Sequence, residues 1–173
     1  MAYTTDRTWV AGEVVTAAYL NTYLRDNMKW LSTDKPMCRA YASAAVSHTP
    51  ASNYQDLTFN TDRFDNAGIH STTSLTARFT VPSGAAGKWM FGGSIIWAPN
   101  AVGIRYASIW ANGGSIYVES TATGDGSLNS ATTVVTLYDM TATQYFTLAG
   151  WQNSGGALNM NANTHAFAIW IGV

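Results

Sequence analysis

IRYASIWANGGSIYVEST, residues 104–121, decides the fold. A side-chain period of two puts Ile104, Tyr106, Ser108 and Trp110 on one face and Arg105, Ala107, Ile109 and Ala111 on the other. Asn112-Gly113 follows, a two-residue hairpin signal because both positions accept positive φ. Ser115 to Thr121 then returns as the partner strand, so the segment reads as one hairpin. Either both of its faces are covered, or one is an exposed aromatic surface.

Working outward, the same grammar extends from about residue 37 to the last residue. Short alternating runs rich in Thr, Val, Ile, Tyr, Trp and Phe are separated by Gly, Asn, Ser and Pro, which reads as all-β. Strands are expected at 37–46, 54–59, 74–81, 88–98, 104–112, 115–121, 131–140, 144–153 and 165–173. Many short strands at fairly even spacing point to a sandwich, jelly roll or barrel. No internal repeat is visible, which weighs against a propeller or solenoid. Before this region, residues 1–15 form a polar arm containing Trp9, and TAAYLNTYLRDNMKWLS (16–32) reads as the one helix. Thr16 is its expected N-cap, Leu20, Leu24, Met28 and Leu31 recur at helical spacing, and Tyr19, Tyr23 and Trp30 widen that face. STDKP (32–36) is expected to end it. The division is therefore an arm and helix, 1–35, followed by a β domain, 36–173. The apolar helix face packs either on its own domain or on copies of itself as a docking and trimerisation face, with Leu20, Tyr23, Leu24, Met28, Trp30 and Leu31 as its residues.

Composition narrows the function. Of 173 residues only 11% are charged, 47% are hydrophobic, and the net charge is −1. A soluble domain usually has about a quarter of its residues charged. So neutral a surface is a hint of coverage by other subunits. No basic patch appears and no Lys or Arg follows Arg105, so nucleic acid is excluded as an expected partner. There is one cysteine, Cys38, which rules out an intrachain disulfide and a cysteine-rich zinc cluster. No signal peptide and no apolar run long enough for a membrane span are present. The expectation is a soluble, cytoplasmically made protein with no membrane partner.

No catalytic constellation is found. His48, His70 and His165 lie far apart and match no metal-ligand spacing. GxSxG, GxGxxG and P-loop motifs are missing. Asp62 and Asp65, with Asn60 and Asn66, offer a calcium-type set, but a polar turn held by Asx hydrogen bonds is the better reading. Asp125-Gly126 is likewise a turn before it is a metal loop. A glycan depolymerase would need a carboxylate pair in a cleft, drawn from Asp56, Asp62, Asp65, Glu119, Asp125 and Asp139. No catalytic residue, metal or cofactor is expected. The seven tryptophans, Trp9, Trp30, Trp89, Trp97, Trp110, Trp151 and Trp170, are mostly expected in the core or at subunit contacts. A minority are candidates for stacking on sugar rings.

Two resemblances add to this. RFTVPSGAAGKWMFGGSIIW (78–97), with Val81, Pro82, Gly87 and Trp89, resembles the strand-turn-strand of the jelly roll shared by complement globular heads and tumour necrosis factor. GIRYASIWANGG (103–114), QYFTLAGWQNSGGAL (144–158) and HAFAIWIGV (165–173) are similar to its later strands. YDMTATQ (138–144) departs from the family's Gly-Asp turn, so no ligand or metal role is carried over there. Separately, TWVAGEVVTAAYLNTYLRDNMKWL (8–31) is similar to a leader of tailed-bacteriophage structural proteins, matching at Trp9, Gly12, Val15, Thr16, Ala17, Leu20, Asn21, Leu24, Arg25, Asp26 and Asn27. The first resemblance implies a homotrimer with the 104–112 strand in the outer sheet. Ala107 and Ile109 then point inward, and Tyr106, Trp110 and Tyr117 are candidates for an outer contact surface. The second implies a virion location, with residues 1–35 contacting other virion proteins. Together they imply a fibre, spike or decoration unit on tail or head. The alternative is a dedicated receptor module that binds a host-surface glycan.

Overall fold

The computed structural model describes residues 4–5, 7–50 and 53–172, and of residues 115–117 the backbone. The chain divides into two compact units, residues 1–35 and 36–173.

In the first unit the helix runs without a break from Ala17 to Asp34. α-Helical turns at Ala17–Leu20 and Asp26–Lys29 alternate with π-helical turns at Asn21–Arg25 and Trp30–Asp34. Thr16 caps it, its hydroxyl accepting from the Tyr19 N–H at 3.3 Å. The helix extends two residues past the expected stop, because Ser32 and Thr33 donate back to the Lys29 carbonyl within the last, wider turn. A π turn takes up more residues than an α turn. Alternating the two lengthens the mean period toward four, so Tyr19, Tyr23 and Asn27 form one stripe and Leu20, Leu24 and Met28 the next. The arm folds back along the first stripe. Asn27 is buried and pairs with the Thr4 backbone through its carbonyl (3.0 Å) and its amide (2.9 Å). The Arg7 guanidinium lies 3.9 Å from the Tyr19 ring centre and 5.1 Å from that of Trp9, and is ion-paired with Glu13.

Among its described residues the second unit holds twelve strands: β1 (Met37–Tyr41), β2 (Val46–His48), β3 (Gln55–Asp56), β4 (Thr61–Asp65), β5 (Phe79–Thr80), β6 (Gly87–Trp97), β7 (Ile104–Ala111), β8 (Ser115–Thr123), β9 (Ser130–Met140), β10 (Tyr145–Gln152), β11 (Leu158–Met160) and β12 (His165–Gly172). They form two antiparallel sheets. One has the order β2-β11-β6-β12-β1-β4 with β9 on β6; the other runs β3-β10-β7-β8 with β5 on β10. The core between them is aromatic. Phe91 of the first sheet stacks on Phe146 of the second with ring centres 4.7 Å apart, and Phe79 meets Phe91 edge-on at 5.2 Å. Trp89 and Trp97 are buried there, their indole N–H groups donating to the Ala85 carbonyl (2.9 Å) and the Thr132 hydroxyl (3.0 Å). Burying a tryptophan needs such a partner.

Several expected elements differ. The 104–121 hairpin turns through three residues, Asn112–Gly114, rather than two. Ala111 pairs with Ser115, and β8 carries a bulge where Ile109 meets Val118 and Trp110 meets Ile116. Asn112 and Gly113 do take positive φ, 50° and 80°. The expected strand 74–81 shrinks to β5, because Leu75 at φ 50° turns the chain before it. NTDRFD, read as a polar turn or ion loop, is largely strand β4 on the edge beside β1. β11 had no expectation at all.

Candidate functional site

Three surfaces of the described residues carry the side chains that the sequence singled out. The first is the helix. Its six named residues split between two stripes. Trp30 is buried at 4% exposure, and Tyr23 faces the folded-back arm, its ring 6.2 Å from Trp9. Leu20, Leu24, Met28 and Leu31 remain exposed together. The six are therefore not one face, because the π turns rotate Tyr23 and Trp30 away from the leucine stripe.

The second is the outward face of the seven-stranded sheet. The ladder aligns Phe64, Arg39, Phe167, Gly92 and Val135 in one row, and Met37, Ile169, Met90 and Leu137 in the next. Leu137 is 67% exposed, Val135 49%, Phe64 45% and Ile171 44%. Gly92 belongs to this face for a steric reason. A Cβ there would come within 2.7 Å of the Phe167 ring and 2.8 Å of the Val134 carbonyl, so the glycine is the seat on which Phe167 lies.

The third is the outward face of the five-stranded sheet, where the opening hairpin places Tyr106 and Trp110. Register sets Trp151 beside Tyr106, Thr147 beside Trp110, and Ala149 and Ser108 between them. Ser108 and Ala149 face outward yet are buried, because Tyr54 crosses above them. Its ring centre lies 6.3 Å from that of Tyr106 and 5.7 Å from that of Trp110, and its hydroxyl donates to Glu119 of β8 at 2.6 Å. Burial and this bond to a carboxylate raise the Tyr54 pKa, so the phenol stays a donor. Trp151 meets Tyr106 edge-on at 5.3 Å. Asp56 lies on the same face and accepts from the Thr147 hydroxyl at 2.8 Å. The four rings are half-buried, the two carboxylates exposed. The Trp110 indole N–H is buried and has no partner among the described residues. Tyr117 sits in the β8 bulge and its side chain lies outside the described residues. Tyr54 was missed, and Trp151, Asp56 and Glu119 were named only within the wider sets of tryptophans and acids, since only strand pairing brings them to Tyr106 and Trp110.

The remaining polar candidates serve the fold. Asp65 accepts from the backbone of Ala67 and His70, and Asp62 from the ring of buried His70 at 2.7 Å. The other His70 nitrogen faces the Thr76 carbonyl at 2.9 Å. Asp125 holds the Ser127 and Leu128 N–H groups, which lower its pKa. No group of three or more His, Cys, Asp or Glu among the described residues is arranged to hold a metal. Cys38 is buried, and burial, with Asp65 and Asp62 nearby, raises its thiol pKa.

No family model matches this chain, and no curated protein does. Solved structures do. The globular domain of zebrafish complement 1qA protein aligns with a TM-score of 0.55 at 12% identity, covering 78% of this chain and 94% of that one. Eiger TNF from S. frugiperda aligns at 0.57 and 8% identity, covering 80% and 94%. Murine APRIL aligns at 0.57 and 6% identity, covering 78% and 99%. Likeness at this level defines the class of fold: a mainly β jelly roll like those of complement heads and tumour necrosis factor, preceded by one N-terminal helix.

Proposed function

We propose that this chain is a non-enzymatic, homotrimeric structural protein of a tailed-bacteriophage virion, a fibre, spike or decoration unit. The observation that carries it is the apolar outward face of the seven-stranded sheet. Leu137 and Val135 on β9, Ile171 on β12 and Phe64 on β4 stand exposed on alternate strands of this sheet, apolar exposure of the kind that marks an interaction site. A threefold arrangement of this jelly roll packs that sheet around the axis. The exposed Leu20, Leu24, Met28 and Leu31 stripe supports a second role for residues 1–35, docking on other virion proteins, and the leader resemblance supports the phage setting.

The non-enzymatic reading has its own support. Asp56 and Glu119 are the acids that share the aromatic face, and the pairing Glu119-Ser108-Ala149-Asp56 puts three strand spacings between them. That is about 14 Å of backbone separation, and each carboxylate is tied to its own neighbour, Asp56 to the Thr147 hydroxyl and Glu119 to the Tyr54 phenol, rather than to a shared cleft.

The test is the solution mass of the full chain and two variants. Leu137→Glu is expected to turn a trimer into a monomer, while Leu24→Ser with Met28→Ser leaves the trimer intact and abolishes capture by phage particles lacking this protein. A monomeric wild-type chain would overturn the trimer. A trimer broken by the helix variant alone would move the clamp from the sheet to the helix.

A further inference from the structure

We propose that the outward face of the five-stranded sheet is a saccharide-binding platform, built from Tyr54, Tyr106, Trp110 and Trp151 with Asp56 and Glu119, and that its ligand is a neutral or amino sugar. This goes beyond the structural role proposed above and does not depend on it.

The chemistry of the surface selects the ligand. It is the face of a sheet, so its backbone N–H and C=O groups are spent in the ladders. A bound peptide finds no main-chain partners there of the kind that an open sheet edge offers. Recognition falls to side chains. Asp56 and Glu119 are acceptors only, and each already takes one hydrogen bond from a neighbouring hydroxyl. An ionised carboxylate has about four lone-pair sites, so both keep capacity for donors supplied from outside. The four rings offer apolar faces and edges. A ligand that brings hydroxyl donors on one side and a flat C–H surface on the other is a pyranose.

Charge narrows the class further. Strands β3, β10, β7 and β8 contain one cation between them, Arg105, and it is fully buried on the opposite face of β7. Arg78, outside these strands, lies over the Tyr145 ring at the far end of β10. Two carboxylates with no cation among them repel acidic sugars and phosphate-bearing glycans and favour neutral residues or a free amine. The same two charges disfavour self-association of this face, since a second copy would set carboxylate against carboxylate.

The full-length protein is titrated with chitotriose, maltotriose and glucosamine, with sialyllactose as the anionic control, following tryptophan fluorescence and saturation-transfer NMR. At least one of the first three is expected to bind and sialyllactose not to. Trp151→Ala and Tyr106→Ala are expected to weaken binding about tenfold each, the worth of one good contact. Glu119→Gln is expected to weaken it as well. Circular dichroism and solution mass of each variant separate a lost contact from a lost fold, and a trimer with no sugar affinity leaves the structural role standing alone. Absence of binding by all three probes overturns the platform. So does binding that survives Trp151→Ala and Tyr106→Ala, or a preference for sialyllactose.

Discussion

Two buried residues show what single side chains do here. Arg105 is fully buried without a carboxylate; its guanidinium donates to the carbonyls of Val102 (2.7 Å) and Asn100 (2.9 Å), and its Nε has no partner. Burial lowers its pKa, yet the group is used as a fork that ties down the 100–103 loop. Arg105→Lys keeps the charge and loses the fork. It is expected to cost about 1–3 kcal/mol, read by urea unfolding, with faster amide exchange confined to residues 100–103. His48 is the other case. Its Nε2–H donates to the Gly150 carbonyl at 3.0 Å, Nδ1 has no partner, and the ring meets Trp97 edge-on at 5.4 Å. Burial pushes its pKa below the usual 6.5. Between the two values the unfolded chain binds a proton that the folded protein refuses. Stability is therefore whole above pH 6.5 and falls as pH drops toward the folded pKa. His48→Gln is expected to flatten that slope relative to wild type. An unchanged slope would assign it to another group.

Among the elements, β6 and the N-terminal helix each set a surface, the strand through its glycine and the helix through its π turns. Gly92→Ala puts a methyl against both the Phe167 ring and the Val134 carbonyl. The ring can swing away, but the carbonyl belongs to the β9 ladder. The variant is expected to lose about 1–3 kcal/mol in thermal unfolding and to weaken self-association, because Phe167 then rises from the apolar face. Loss of stability without loss of association would leave Phe167 outside the contact. In the helix, two π turns bring the period toward four and line up the leucine stripe over four turns. Spacings of four, four and three in the sequence pass for an ordinary helix, so the π turns were not legible there.

At the scale of the whole molecule, β6 to β10 and β12 could be read from alternation alone, since long strands with apolar inner positions repeat the period several times. β11 and β4 could not: Leu158–Met160 is three residues long, and Thr61–Asp65 is polar because it lies on an edge. The site was half legible. Tyr106 and Trp110 follow from one strand's alternation, whereas Tyr54, Trp151, Asp56 and Glu119 join them through register between strands distant in sequence. Tyr54 in particular reaches Glu119 across 65 positions. The helix face failed in a different way, because a covering arm is not visible in the helix's own periodicity.

The position of β12, between β1 and β6, bears on synthesis. Cys38 pairs with Ala168, so the first strand of the domain is made long before its central neighbour. At roughly 5–20 residues per second the ribosome leaves β1 and β6 without that neighbour for several seconds, β1 on the order of ten. The first sheet then stands open with its apolar strands exposed, and its outward face is complete only once β12 has emerged.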